Sequence, residues 1–307
     1  MYGALSPLFY FLLRETRGSV ILRRRAALLR KNTGKRIHIS AELDKAPLTL
    51  RLFRSSTRPI ILLATEPVLA ATTVWSAFCV GTVYLFTQSV AQVFTSLYHW
   101  PEYTTGYVLG AVVIGEVLGW VPTLYSTRLY FASSRRNTET PGTPIPEARL
   151  YLSVFGSFLG LAGGMFLYAW TSYPSLPWIA PAIGLTLAGV GIQVVVTAAA
   201  DYITDIYAAS GYAGSAISAV AAGENVVAAF LPLAASRMYT TLGFQWASTL
   251  LGFLALVVSL APVVFIIYGR RLRERSPYMQ SGGRLGRVAS PQSERREKAP
   301  AEYAGNV

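Results

Sequence analysis

The chain has 307 residues, 52% hydrophobic and only 14% charged, with a mean hydropathy of +0.41. A water-soluble domain has about 25% charged residues, so this composition excludes an ordinary cytosolic enzyme, and its apolarity excludes a disordered chain. The net charge of +12 sits mostly at the two ends, before residue 59 and after residue 268, around a nearly uncharged apolar body. Such a distribution argues against nucleic acid as a partner and for basic segments bracketing membrane spans.

Residues 1–13 are apolar but too short to cross a bilayer, and they lack the basic start and small-residue cleavage site of a signal peptide. They read as the last turns of a span that begins upstream. Residues 14–58 form a basic connector. Within it, 19–33 reads as a helix, with Ser19 as N-cap and Gly34 just past its end. Leu22, Ala26 and Leu29 share one face, and Arg23, Arg24, Arg25, Arg30 and Lys31 cover the rest. That pattern suits a helix lying on an anionic leaflet, and a solvated linker helix suits it equally.

About 20 apolar residues cross a bilayer as a helix. Six stretches within 59–268 qualify: 67–94, 105–130, 149–170, 178–200, 208–235 and 244–268. The expected fold is an all-α membrane protein of six transmembrane helices. Residues 269–307 form a tail, expected to be disordered after Ser281 from its Ser, Gly, Arg and Glu content. With 14–58 in the cytoplasm, 26 of the 27 Lys and Arg residues fall on the cytoplasmic side, leaving only Arg237 across the membrane.

Two carboxylates lie deep in the spans, Glu116 in the second and Glu224 in the fifth. A charge near the bilayer centre costs roughly 3 kcal/mol on insertion scales, so each should face protein or water. Such a group can take up and release a proton as its surroundings change. It can equally be a neutral acid hydrogen-bonded to a neighbouring helix. Small residues four apart (Gly106 with Gly110, Gly115 with Gly119, Gly156 with Gly160) allow close backbone approach, and 208–223 is denser still. The glycines at 156–164 are not a phosphate loop, because no Gly-Lys-Ser/Thr follows them.

Two spans have polar stripes. Thr186, Gln193, Thr197 and Asp201 share one face of the fourth, and Thr73, Tyr84 and Gln88 one face of the first. Single Thr and Gln residues in membrane helices usually bond locally, whereas a stripe along a whole helix suits the wall of a water-filled path. These six residues of Thr, Tyr and Gln type are the substrate-cavity candidates. Asp201 and Asp205 stand four apart at the end of the fourth span, with Asp205 read as the N-cap of the fifth, since acids are disfavoured at a helix C-terminus. The single cysteine, Cys79, and the widely separated His38 and His99 suggest neither disulfide nor metal, and no cofactor is expected.

Several strings together resemble one family. Residues 14–22, Arg24-Arg25-Ala26 and 29–34 resemble the central cytoplasmic loop of fungal major facilitator transporters, closest to the twelve-helix drug:proton antiporters that include multidrug and polyamine exporters. Arg58-Pro59 and Glu66-Pro67 look like the entry to that family's seventh helix, and 146–150 like the entry to its ninth. Residues 170–174 resemble the loop that follows the ninth. The strings 205–210, Met238-Tyr239, Leu242-Gly243 and Trp246-Ala247 resemble the last two helices. The resemblance covers nearly the whole chain and implies that the six spans are helices seven to twelve, the C-terminal half, with the N-terminal half absent. It implies that the first and fourth spans line a central cavity and that the second and fifth meet the other half. Glu224 departs from the pattern, standing where many drug-exporting members have arginine.

The resemblance implies proton-coupled export of small organic solutes or drugs, with Glu224 and Glu116 as proton-coupling candidates. The implied partners are the lipid bilayer, a small-molecule substrate, protons, and the missing N-terminal half or another membrane protein. Alternating access needs two halves, so these residues alone are expected not to transport. The competing reading is a truncated product or membrane-embedded interaction protein without transport activity. Plasma membrane is the expected location, with the vacuolar membrane second. Substrate, direction and organelle are not written in the sequence.

Overall fold

A computed structural model describes residues 18–33, 48–137, 141–276 and 278–279, and every regular element among them is a helix. The expected span remnant at 1–13 and the tail beyond 281 lie outside the described residues. The chain divides into two units, Met1–Ser56 and Thr57–Val307.

In the first unit, α1 spans Gly18–Thr33, starting just before the expected cap Ser19. Ala26 is buried, while Ile21, Leu22, Leu28 and Leu29 are exposed. A second helix, α2, spans Leu48–Thr65. The hydropathy pattern does not announce it.

The second unit holds six helices long and apolar enough to cross a membrane. They are Pro67–Tyr98, Glu102–Arg136, Pro146–Thr171, Ile179–Ala208, Ala213–Leu242 and Phe244–Arg275, the first to sixth spans. All six expected stretches are recovered; five of the helices run further, and the fifth starts at Ala213 rather than 208, because 208 still belongs to the fourth. Thirty residues of helix reach about 45 Å, against a hydrocarbon core of about 30 Å, so the ends extend into the interfaces. The fourth span continues to Ala208 rather than 200, and the sixth to Arg275 rather than 268. This corrects one expectation: Asp205 is not the N-cap of the fifth span but lies inside the last turns of the fourth.

Two spans depart from regular α-helix. The third opens with a 3-10 turn, Pro146–Leu150, and has a π-helical segment, Gly156–Ala162, between α-helical pieces. Such insertions are uncommon. Here the segment includes Gly156 and Gly160, which lie against Gly191 and Val194 of the fourth span. The sixth breaks at Ser259, between Phe244–Val258 and Leu260–Arg275. Pro262, without an N–H, cannot donate to the Val258 carbonyl one turn earlier. The Ser259 hydroxyl donates to the Ala255 carbonyl at 2.6 Å.

The fourth span is the spine. The second packs on one side of it, the third on the other, and the first pairs with the fifth. Trp75, Phe86, Phe94, Tyr168, Tyr202 and Tyr207 are the largest fully buried side chains. Most buried hydroxyls and ring N–H groups find partners, as lipid offers none: Trp75 Nε1 donates to Ser157 Oγ at 3.2 Å, and Tyr239 and Ser248 share a bond of 3.0 Å, whereas the buried Tyr202 hydroxyl has no partner among the described residues. At the ends opposite the basic connectors, Trp100 meets Trp178 and Trp170 meets Trp246, with ring centroids 5.5 and 5.8 Å apart. Aromatic residues favour this headgroup level.

Candidate functional site

Four of the candidate side chains are mid-helix residues. Tyr84, Glu116, Gln193 and Glu224 each fall within about one turn of the centre of their own helix. They sit on two helix pairs rather than on a single stripe.

Along the first pair, Gly223 of the fifth span lies against Thr73 of the first. One position on, the Ser76 hydroxyl donates to Glu224 Oε1. The carboxylate is thereby held by a neighbouring helix, half-buried. Thr73 is buried and bonds back to the Leu69 carbonyl at 2.7 Å, as a hydroxyl does in a membrane helix. It lines no open path here. Tyr84 and Gln88 lie on the exposed side of the same helix, with Thr87 between them. The first-span stripe is therefore split, its lower member in a seam and its upper two on an open face.

Along the second pair, Gly115 lies directly under the Thr186 carbonyl, and a Cβ at Gly119 would come within 2.7 Å of Gln193 Cβ. Glu116 sits beside these glycines, half-buried, with no side-chain hydrogen bond or ion pair among the described residues. Thr186, Gln193 and Thr197 are all half-buried at this seam. Gln193 Nε2 donates to Thr197 Oγ1 at 3.1 Å. Thr197 borders a small cavity that also reaches Asp201 and Arg149, so this polar line runs from mid-helix to the basic end of the bundle.

At that end the structure gathers charged residues that sequence spacing does not join. Arg149, at the start of the third span, donates from Nη1 to Asp201 Oδ2 and from Nε to Asp205 Oδ2, each at 3.0 Å. Its guanidinium lies 3.7 Å from the Tyr130 ring centroid, a cation–π contact. The two acids sit four apart so that one fork spans both, and their repulsion by the helix C-terminus is offset by the cation. Glu147, buried against Gly269, accepts from Arg273 Nη1 at 2.9 Å. Tyr207 donates to the buried Glu66 Oε2 at 3.3 Å. These contacts tie the first, second, third, fourth and sixth spans together at one end. The signal that could have found them is the acid pair itself: two carboxylates at a helix C-terminus require a cation from elsewhere, and Arg149 is the arginine nearest a span start. Among the described residues, no group of His, Cys, Asp and Glu could hold a metal ion.

The small-residue faces also divide. Gly115, Gly119, Gly156 and Gly160 are consumed by contacts within the bundle, whereas Gly106, Gly110 and Gly214 have nothing nearby. The second and fifth spans are the least buried of the six, and Tyr107, Val117, Trp120, Val226, Phe230 and Leu233 stand exposed along them.

Compared with known proteins, the chain is similar to fungal transporters. It is 33% identical over 276 residues to the MFS-type transporter atr4 of Stereocaulon alpinum, covering 89% of this chain and 48% of that protein. It is 34% identical over 267 residues to the efflux pump FUBT of Fusarium oxysporum, covering 86% and 44%. It is 33% identical over 284 residues to the MFS transporter cpaT of Aspergillus oryzae, covering 91% and 55%. The chain thus spans about half the length of the curated relatives it matches. No protein-family model matches it, and no solved structure does.

Proposed function

From its standing as a half-length member of the fungal major facilitator transporters, a multi-pass membrane protein, we propose that the chain is the C-terminal half of a proton-coupled exporter of small organic solutes. The observation that carries the reading is that Tyr84, Glu116, Gln193 and Glu224 each lie near the middle of their own apolar helix, since secondary transporters bind near the bilayer midplane. Tyr84, Gln88, Gln193 and Thr197 offer hydrogen bonds to a solute, with Thr186 and Thr73 shaping the seams behind them. Glu224 carries the exchangeable proton. The Ser76 hydroxyl donates to the carboxylate when Glu224 is ionised; protonation weakens that bond and frees the side chain to face the cavity. Glu116 is the second proton candidate, half-buried beside Gly115 and Gly119 at the seam with the fourth span.

Activity requires a second six-helix half, supplied on a longer chain or by another protein. The support is the open surface of the second and fifth spans around Gly106, Gly110 and Gly214. Rocking of the two halves exposes the midplane to each side in turn. The efflux names of the relatives favour export across the plasma membrane.

Vesicles containing the transporter, loaded with a panel of cationic and lipophilic compounds and given a pH gradient, test the reading. Saturable flux that follows the gradient is expected, and flux indifferent to the gradient would retire proton coupling. Orientation is tested in a Cys79→Ser background. A membrane-impermeant thiol reagent applied outside intact cells should label Tyr103→Cys and Ser175→Cys and miss Ser134→Cys and Ser276→Cys. Labelling of the second pair would reverse the topology.

A further inference from the structure

We infer that the cavity between the basic-side ends of the second and third spans binds the phosphate headgroup of an anionic phospholipid. The cavity, about 320 Å³, is lined by Leu129, Ala132, Arg135, Arg136, Ile145 and Tyr151, a volume at the lower end of small-molecule sites. Its walls are tied together. Ser133 Oγ accepts from the Ile145 N–H at 2.9 Å and donates to the Tyr130 carbonyl at 2.6 Å, so the connector is pinned to the end of the second span.

Among the described residues, the charge in this cavity is uncompensated. Arg135 and Arg136 lie in a short 3-10 turn, Ser134–Arg136, both exposed, and neither has an ion-pair partner among the described residues. Among the described residues, the acids at this end of the bundle are already engaged: Glu147 by Arg273, and Asp201 and Asp205 by Arg149. Arg136 also borders the neighbouring cavity that Asp205 reaches, but that carboxylate is held by Arg149 at 3.0 Å. Two free guanidiniums with planar donor forks match the oxygens of a phosphate.

The apolar walls distinguish a lipid from a free anion. Tyr151, Phe155 and Leu159 recur every four residues along the third span, all exposed, and form a single ridge leading from the cavity into the hydrocarbon. Leu129 and Ala132 face it from the second span. A headgroup between the arginines would thus lay its acyl chain on that ridge. Basic pockets between spans on the cytoplasmic side take anionic headgroups for this reason. The inference rests on the membrane reading but not on transport.

The test uses the purified full chain in detergent, incubated with an equimolar mixture of phosphatidylserine and phosphatidylcholine, with bound lipid counted by native mass spectrometry. Phosphatidylserine should be retained preferentially. The double variant Arg135→Gln, Arg136→Gln should lose that retention by about tenfold or more. Ala132→Glu, which sets a carboxylate in the cavity without removing either arginine, should lose it as well. Arg271→Gln, an exposed arginine outside the cavity, should behave as the wild type. Millimolar inorganic phosphate or glycerophosphoserine should not displace the lipid. Equal retention in the double variant and in Ala132→Glu would overturn the proposal, as would an equal loss in Arg271→Gln, the mark of general charge attraction. Full displacement by phosphate would make this a free-anion site instead.

Discussion

Where the second span crosses the fourth, backbone meets backbone: Gly115 lies under the Thr186 carbonyl, and Gly189 faces the Val112 carbonyl and Gly115 in return. Where the first crosses the fifth, side chains do the packing. Gly81 meets Val227 and Leu231, Gly223 meets Thr73, and Ser76 bonds Glu224. The first kind of contact has no adjustable part, because a carbonyl cannot rotate away from a new methyl group without moving its helix. The second kind is made of rotamers and one proton-bearing hydrogen bond, which can rearrange. The difference separates a fixed seam from a seam that can change state.

The largest expected effect falls on the fixed seam. Gly115→Leu should prevent the second and fourth spans from packing and leave little folded protein. Gly115→Ala should cost about 1–3 kcal/mol as overpacking, read as a lowered thermal unfolding midpoint in detergent. Gly81→Ala, which meets the Val227 methyl at 2.7 Å, should cost less because that side chain can turn. Gly110→Ala, with open space around it, should change stability by less than about 0.5 kcal/mol. Equal losses for Gly115→Ala and Gly110→Ala would abolish the distinction.

Next in size is the ionic cluster at the basic end. Arg149→Ala leaves Asp201 and Asp205 facing each other without their cation. Removing one partner of a fully buried pair costs roughly 3–5 kcal/mol. Here Asp201 is 41% exposed at its side chain, so about 2 kcal/mol is expected. Arg149→Lys should recover only part, since one ammonium cannot span both carboxylates as the fork does. The unfolding midpoints of the three proteins check this order, and full recovery by lysine would mean that charge alone matters.

The smallest stability effect is expected in the adjustable seam. Glu224→Gln should leave the unfolding midpoint nearly unchanged, because the amide fills similar volume and can still accept from Ser76. Its effect should appear in function instead.

Much of this was legible in the chain. The six apolar stretches and the 26 to 1 division of basic residues define the bundle and its basic face, because burial in lipid constrains every span on its own. The mid-helix carboxylates were legible too, as isolated charges in apolar text. What the sequence did not separate is which glycines serve the bundle itself. Gly106, Gly110, Gly115 and Gly119 read as one face meant for an absent half, but Gly115 and Gly119 are taken by the fourth span. Spacing along one helix gives a face; it does not name the neighbour. The Arg149 cluster was hidden for the same reason, since its partners lie 52 and 56 residues away. Asp205 looked like a cap only while the fourth helix was thought to end before it.

Glu224, held by Ser76 in the adjustable seam, is proposed to carry the proton that drives transport. The most direct measurement is solute flux against external pH in vesicles, with wild-type transporter and Glu224→Gln at matched protein levels. A pH-dependent flux is expected in the wild type and a flat profile in the variant, with membrane insertion and unfolding midpoint unchanged. A variant whose flux keeps the wild-type pH dependence would contradict it and leave Glu224 as a packing residue.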